Sequence, residues 1–105
     1  MSDSQAGIYL IIEFDWPRPF AQEHAQKARH LHDVLQEKAW IKEIVAASGG
    51  IGQGPASLWI FWLPNYAALD RLLRERDDPV HQAYTAFFSE MSLVKDKVRE
   101  QVLFL

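Results

Sequence analysis

Six consecutive residues, Leu58 to Leu63, carry no polar side chain: LWIFWL. Read as a strand, they send Trp59, Phe61 and Leu63 to one side of a sheet and Leu58, Ile60 and Trp62 to the other. Both faces of that strand must be kept from water. A sheet with helices on one face and solvent on the other shows apolar and polar residues in alternation, and this strand does not. The segment Ile8 to Trp16 repeats the constraint. Ile8, Leu10, Ile12, Phe14 and Trp16 share one side, and on the other Tyr9 and Ile11 precede the first charge, Glu13. The chain therefore folds around a sheet that needs two covers.

The remaining segments supply the first cover. Pro17 stops the strand Ile8–Trp16, because proline has no N–H for a ladder. From about Pro19 to Lys38 the period becomes helical, with Phe20, His24, Ala28, Leu31 and Leu35 on one face. Trp40–Ser48 and Ala56–Leu63 read as two strands joined by a glycine-rich loop. Tyr66, Leu69, Leu72 and Leu73 take helical spacing, and the polar stretch Arg74–Asp78 ends that helix. Asp78 followed by Pro79 is an N-cap with proline at the first helical position, opening a short third helix whose stripe is Val80, Ala83, Tyr84, Phe87, Phe88 and Met91. Val98–Leu105 reads as the last strand. The order β-α-β-β-α-(α)-β predicts an α+β fold: a ferredoxin-like βαββαβ unit with an extra short helix, its antiparallel four-stranded sheet covered by helices on one face.

A chain of 105 residues is one domain, and residues 1–7 are expected to be flexible. The second cover is then most simply another copy of the same chain, packed sheet against sheet about a two-fold axis, with the chain's terminal arms folded over that face as the alternative. The formal net charge is -3, and the basic residues are scattered, which leaves no footprint for nucleic acid or an anionic membrane. There is no cysteine, so disulfides, thiol catalysis and cysteine-ligated zinc are excluded, and a reducing, cytoplasmic setting is expected. The polar N-terminus predicts no leader, and the longest apolar run is far too short to span a bilayer.

With this order of elements, the segments "WIKEIVAASGGIGQGPASLWIFWLPNYAALDRLL", "DDPVHQAYTAFF" and "VREQVLFL" make residues 8–105 resemble the dimeric α/β-barrel superfamily. That superfamily includes EthD-like, NIPSNAP-like and muconolactone isomerase-like proteins and the small antibiotic-biosynthesis monooxygenases. The resemblance implies two sheets packed into a barrel across a homodimer. It also implies a pocket lined by aromatic side chains between each subunit's own sheet and helices. Its members include oxygenases, isomerases, haem proteins and proteins without known activity, so the fold alone selects no reaction.

The stretch GGIGQG, residues 49–54, looks like a phosphate cradle, but a dinucleotide fingerprint needs a helix directly after it. Here Pro55 stands where the third glycine belongs and a strand follows. No Lys and Ser or Thr follow Gly54 either, so the cluster is expected to turn the chain between strands.

Among residues able to carry chemistry, His24 lies on the helix face that packs on the sheet, His32 near its edge and His30 on the polar side. His24 is the candidate proton-transfer group, set against the alternative of a core histidine bonded to a carboxylate or carbonyl. Glu13, after an apolar run, is the candidate general base, with strand-end or interface pairing as the alternative. Tyr84, His81, Trp59, Phe61, Trp62 and Phe88 are the candidate ligand-binding residues, with ordinary packing as the alternative. No metal-ligand spacing is present: His24 and His32 are two turns apart. A haem or a His24–His81 pair has no further cue, and no cofactor or metal is expected. The expectation is a homodimer binding a small hydrophobic or aromatic molecule, acting as a cofactor-free oxygenase or isomerase, or else a non-catalytic binding or interaction module whose histidines are structural.

Overall fold

The computed structural model describes residues 6–104. Its elements follow in the order β1 (Ile8–Asp15), α1 (Gln22–Gln36), β2 (Glu43–Ser48), β3 (Ser57–Leu63), α2 (Tyr66–Arg74), α3 (Pro79–Phe88) and β4 (Ser92–Glu100). They form one antiparallel sheet, ordered β2-β3-β1-β4, with the helices on one face. This is the expected ferredoxin-like arrangement.

The two hydrophobic strands lie side by side at the centre. In the β1–β3 register Leu10 faces Phe61, Ile12 faces Trp59 and Phe14 faces Ser57, and all six are buried beneath the helices. Each large apolar side chain so buried contributes roughly 1.5–3 kcal/mol. Leu31 and Leu35 of α1, Leu72 of α2, and Val80 and Phe87 of α3 close this core from above. The opposite register positions, Tyr9 with Trp62 and Ile11 with Ile60, are only half-buried and carry no helix.

Local chemistry sets the helix ends. Asn65 Oδ1 accepts from the Ala68 N–H at 2.9 Å and Asp78 Oδ1 from the Val80 N–H at 2.8 Å, each satisfying a donor that has no partner within its helix. The residue before α1 is Ala21, which has no side chain able to cap. His24 instead accepts from the Ala21 N–H, a different donor at the same helix end, as described below.

The last strand begins and ends earlier than Val98–Leu105. β4 is Ser92–Glu100, and residues 101–104 leave the sheet, while Leu105 lies outside the described residues. The physical reason is that β4 is an edge strand, exposed along nearly its whole length. Its open-face positions carry Lys95, Lys97 and Arg99, and charges of this kind are how exposed edges resist pairing with other chains. Trp40 also lies outside β2, stacked instead beneath the Arg71 guanidinium, 4.5 Å from the ring centroid. Of the segment expected to be flexible, residues 1–5 lie outside the described residues; Gly7 is buried and its N–H donates to Gln101 Oε1 at 2.9 Å.

Candidate functional site

The glycine loop turns the chain, as its position between strands requires. Gly49, Gly50, Gly52 and Gly54 all have positive φ, a conformation glycine adopts without cost. The loop also forms one wall of a shallow groove of about 540 Å³ on the open sheet face, whose floor is Ile11, Leu58 and Ile60 with Glu13 at the side.

A second hollow lies on the helix side, at the end of the sheet where the helices stop. Two adjoining concavities of about 550 and 240 Å³ share Trp16, Ser48 and Ser57. Trp16 continues the inward face of β1, and the segment leading to α1 brings Phe20 against it, ring centroids 5.2 Å apart at 72°. Trp59 lies behind, largely buried. Between these aromatic surfaces Ser48 and Ser57, directly opposite in the β2–β3 register, share a hydroxyl–hydroxyl hydrogen bond of 2.9 Å. A pair of hydroxyls owns two protons and this bond uses one, so the pair keeps a spare O–H donor. Asp15, Arg18 and Ser92 complete the polar lining. Asp15 Oδ1 accepts from the Ala56 N–H at 2.9 Å, which ties the carboxylate to the hairpin.

The candidate residues from the sequence fall in three places. Trp59 contributes to the wall of this cleft. Phe61, Tyr84 and Phe88 pack on one another, Tyr84 and Phe88 with ring centroids 4.9 Å apart, and fill the interior between sheet and helices. Burial pushes the Tyr84 hydroxyl well above the usual phenol range, with the Asp96 charge adding to the effect. Glu13 and Trp62 are on the opposite sheet face, where Lys97 Nζ stands 3.9 Å from Glu13 and Lys42 Nζ sits 4.6 Å from the Trp62 ring centroid. The sheet thus separates Glu13 from His24.

Each histidine of interest has defined partners. His24 is buried at the third position of α1, and its Nδ1 accepts from the Ala21 N–H at 3.1 Å, the back-reaching half of a capping box. Its Nε2 stands 3.8 Å from Glu90 Oε1. Phe20, which lines the cleft, lies against the ring with centroids 6.0 Å apart, and His24 itself is not part of the lining. His81 Nδ1 lies 2.9 Å from the Leu72 carbonyl oxygen, which can only accept, so this nitrogen carries the proton and donates, joining α3 to α2. Ligand atoms of Glu23, His24 and Glu90 come within 4.8 Å of one another. Lys27 Nζ already occupies Glu90 at 2.8 Å, and that bond holds the Glu90 carboxyl below its ordinary range.

Trp16 is visible in the sequence as an aromatic on the inward face. The serine pair is not, since only strand register brings Ser48 opposite Ser57.

No protein-family model matches the chain, and no curated protein matches it. Solved structures do match its fold over nearly the whole length. A hydroxynitrile lyase from Passiflora edulis superposes with a TM-score of 0.71 at 11% identity, covering 94% of this chain and 96% of that one. A dimeric ferredoxin-like protein of unknown function from Thermobifida fusca gives 0.67 at 17% identity, covering 95% and 93%. SnoaB, a cofactor-independent oxygenase from Streptomyces nogalater, gives 0.67 at 10% identity, covering 97% and 98%. Proteins described as DABB-family and EthD-family share the same architecture. The chain therefore has the ferredoxin-like fold. Among the described residues no helix is long and apolar enough to cross a membrane.

Proposed function

We propose that this chain works as a homodimer, packed through its open sheet faces, that binds a small, planar, largely apolar molecule in the cleft between Trp16, Phe20 and the Ser48–Ser57 pair. The observation that carries the reading is the cleft itself: aromatic surface beside a hydroxyl pair with a proton to spare, the pairing of apolar wall and few polar groups that small-molecule sites use. The cleft opens at the end of the sheet beside Trp16 and Ser57, and it meets the glycine-loop groove at Ser48 and Ala56. The glycine-loop groove lies on the face a partner would cover, so it belongs to the interface in this reading. The dimeric description of the Thermobifida fusca protein supports the assembly. A cysteine-free chain suits a cytoplasmic setting.

Binding, with structural histidines, is the reading the geometry favours, because His24 is engaged at a helix cap and does not line the cleft. The catalytic reading, a cofactor-free oxygenase or isomerase, takes support from the described activity of SnoaB. In it Asp15 is the carboxylate within the lining, and His24 would need to be brought to the cleft. Glu13, across the sheet, would serve the dimer interface.

Native mass spectrometry of the chain purified from its source tests the proposal. The expected result is twice 12.1 kDa plus a retained small molecule, lost on Trp16→Ala substitution. A ligand-free monomer at micromolar concentration would sink it. A ligand retained equally by the Trp16→Ala protein would move the site elsewhere.

A further inference from the structure

Arg18 sits between Pro17 and Pro19, at the mouth of the cleft beside Trp16 and Phe20. Proline fixes its own φ and bars the residue before it from helical backbone, so the segment Pro17-Arg18-Pro19 presents the arginine from a stiffened chain. Among the residues lining the cleft it is the one cation. Among the described residues its guanidinium has neither an ion pair nor a place over an aromatic ring. The ion pairs join other residues, and the two cation–ring contacts are Lys42 on Trp62 and Arg71 on Trp40. The nearby carboxylate is not its partner either: no ion pair joins Asp15 to Arg18, and Asp15 Oδ1 accepts from the hairpin backbone at Ala56. A guanidinium that lines an aromatic cleft without an ion pair offers a planar fork of N–H donors, the group that matches a carboxylate in geometry and charge.

We propose that the ligand of this cleft is an aromatic carboxylate, its ring against Trp16 and Phe20, its carboxylate on the Arg18 guanidinium and a further oxygen, where it has one, on the spare O–H of the Ser48–Ser57 pair. This rests on the cleft reading and adds the charge of the ligand to it. Arg18 is then a specificity residue. It separates the anion from its neutral isostere, because an uncharged group recovers only part of the bond to guanidinium, whereas the aromatic wall holds both equally. The guanidinium is exposed, so its attraction is screened by salt and the preference shrinks as ionic strength rises.

The test is titration calorimetry with 2-naphthoate and with the uncharged 2-naphthamide, on the intact protein and on Arg18→Gln, Trp16→Leu and Lys97→Gln variants. Naphthoate is expected to bind at least about fivefold more tightly than the amide, the range of one exposed charge-assisted contact. Arg18→Gln should abolish that preference without weakening the amide, Trp16→Leu should weaken both compounds, and Lys97→Gln, on the far sheet face, should change neither. Equal affinity for acid and amide, or a preference that survives Arg18→Gln, overturns the carboxylate assignment and leaves the cleft standing if Trp16→Leu still weakens binding. A preference removed by Lys97→Gln places the anion on the open face and overturns it too. Binding of neither compound at millimolar concentration overturns both the assignment and the cleft reading. Arg18 is an exposed loop residue, and an unchanged melting temperature confirms that its variant is folded.

Discussion

Tyr9 stacks on Trp62, with ring centroids 6.1 Å apart and planes 25° apart, on the sheet face that no helix covers. The pair continues through Ile11 and Ile60, directly opposite in the same register, to Leu58. Aromatic and aliphatic rungs of this kind stabilise a sheet only partly while one side meets water. Ile60 lies at the middle of this surface and its side chain supports no helix-side core residue. Ile60→Glu should therefore leave the fold intact and break the proposed dimer, since a carboxylate would be buried there without a partner. Sedimentation should show the wild type at twice 12.1 kDa and the variant near 12.1 kDa. A variant that sediments like the wild type would show that this face is not the interface.

Gly7 is required for a steric reason rather than for its φ. A Cβ there would lie 2.6 Å from the Leu63 carbonyl oxygen and 2.7 Å from Trp62 Nε1, and the first of these is backbone of the central strand. Gly7→Ala should cost about 1–3 kcal/mol, the usual range for forcing a methyl into a packed site. In a domain of this size that lowers the melting temperature by about 4–8 °C for each kcal/mol. Gly50→Ala makes the comparison. Beyond its chain neighbours no atom lies within 4 Å of the place its methyl would take, but its φ of +83° penalises alanine, so its loss should be the smaller, about 1 kcal/mol. Calorimetric melting of the two variants checks the order.

The fold was legible because the elements that decide it carry one-sided or two-sided hydrophobic patterns. β1 and β3 read as strands from their residues alone, and Asp78-Pro79 marks the start of α3 by cap chemistry that depends on nothing distant. β4 was harder. Its charges at Lys95, Lys97 and Arg99 serve an edge position, and the more apolar residues after it extend the strand pattern past the true end. The cleft was less legible still, because it depends on register and on how the chain turns after β1. Nothing in the linear order places Ser48 opposite Ser57, or Phe20 on Trp16 in place of the inward stripe of α1. His24 shows the same limit: its inward direction was readable, but its bond to the Ala21 N–H depends on how the chain enters α1.

That bond gives His24 a test separating its two roles. Glutamine is a usual residue at this capping position, since its side-chain oxygen can reach back to the same N–H. His24→Gln should keep nearly wild-type stability, whereas His24→Ala should lose about 1–2 kcal/mol through the missing cap and the lost packing against Phe20. Urea unfolding measures both. If His24→Gln folds normally but no longer gains thermal stability from the retained ligand, the histidine acts on the ligand and the catalytic reading gains ground.

Asp78 links stability to pH. It is buried at the N-cap of α3, where it accepts from the Val80 N–H and from Arg71, which in turn stacks on Trp40. Burial alone would raise its pKa, but the Val80 and Arg71 bonds to the charged form outweigh that, and the carboxyl is held below its ordinary 3.8. The folded state therefore binds its proton less readily than the unfolded chain does. The resulting stabilisation is complete above the unfolded value and disappears as pH falls below it and through the folded one. Asp78→Asn should keep a cap, lose the charge on Arg71's partner and cost about 1 kcal/mol at pH 7. Between about pH 5 and pH 2.5 it should lose less further stability than the wild type. Urea midpoints across that range decide the matter: parallel curves for the two proteins would mean that Asp78 does not carry this part of the acid sensitivity.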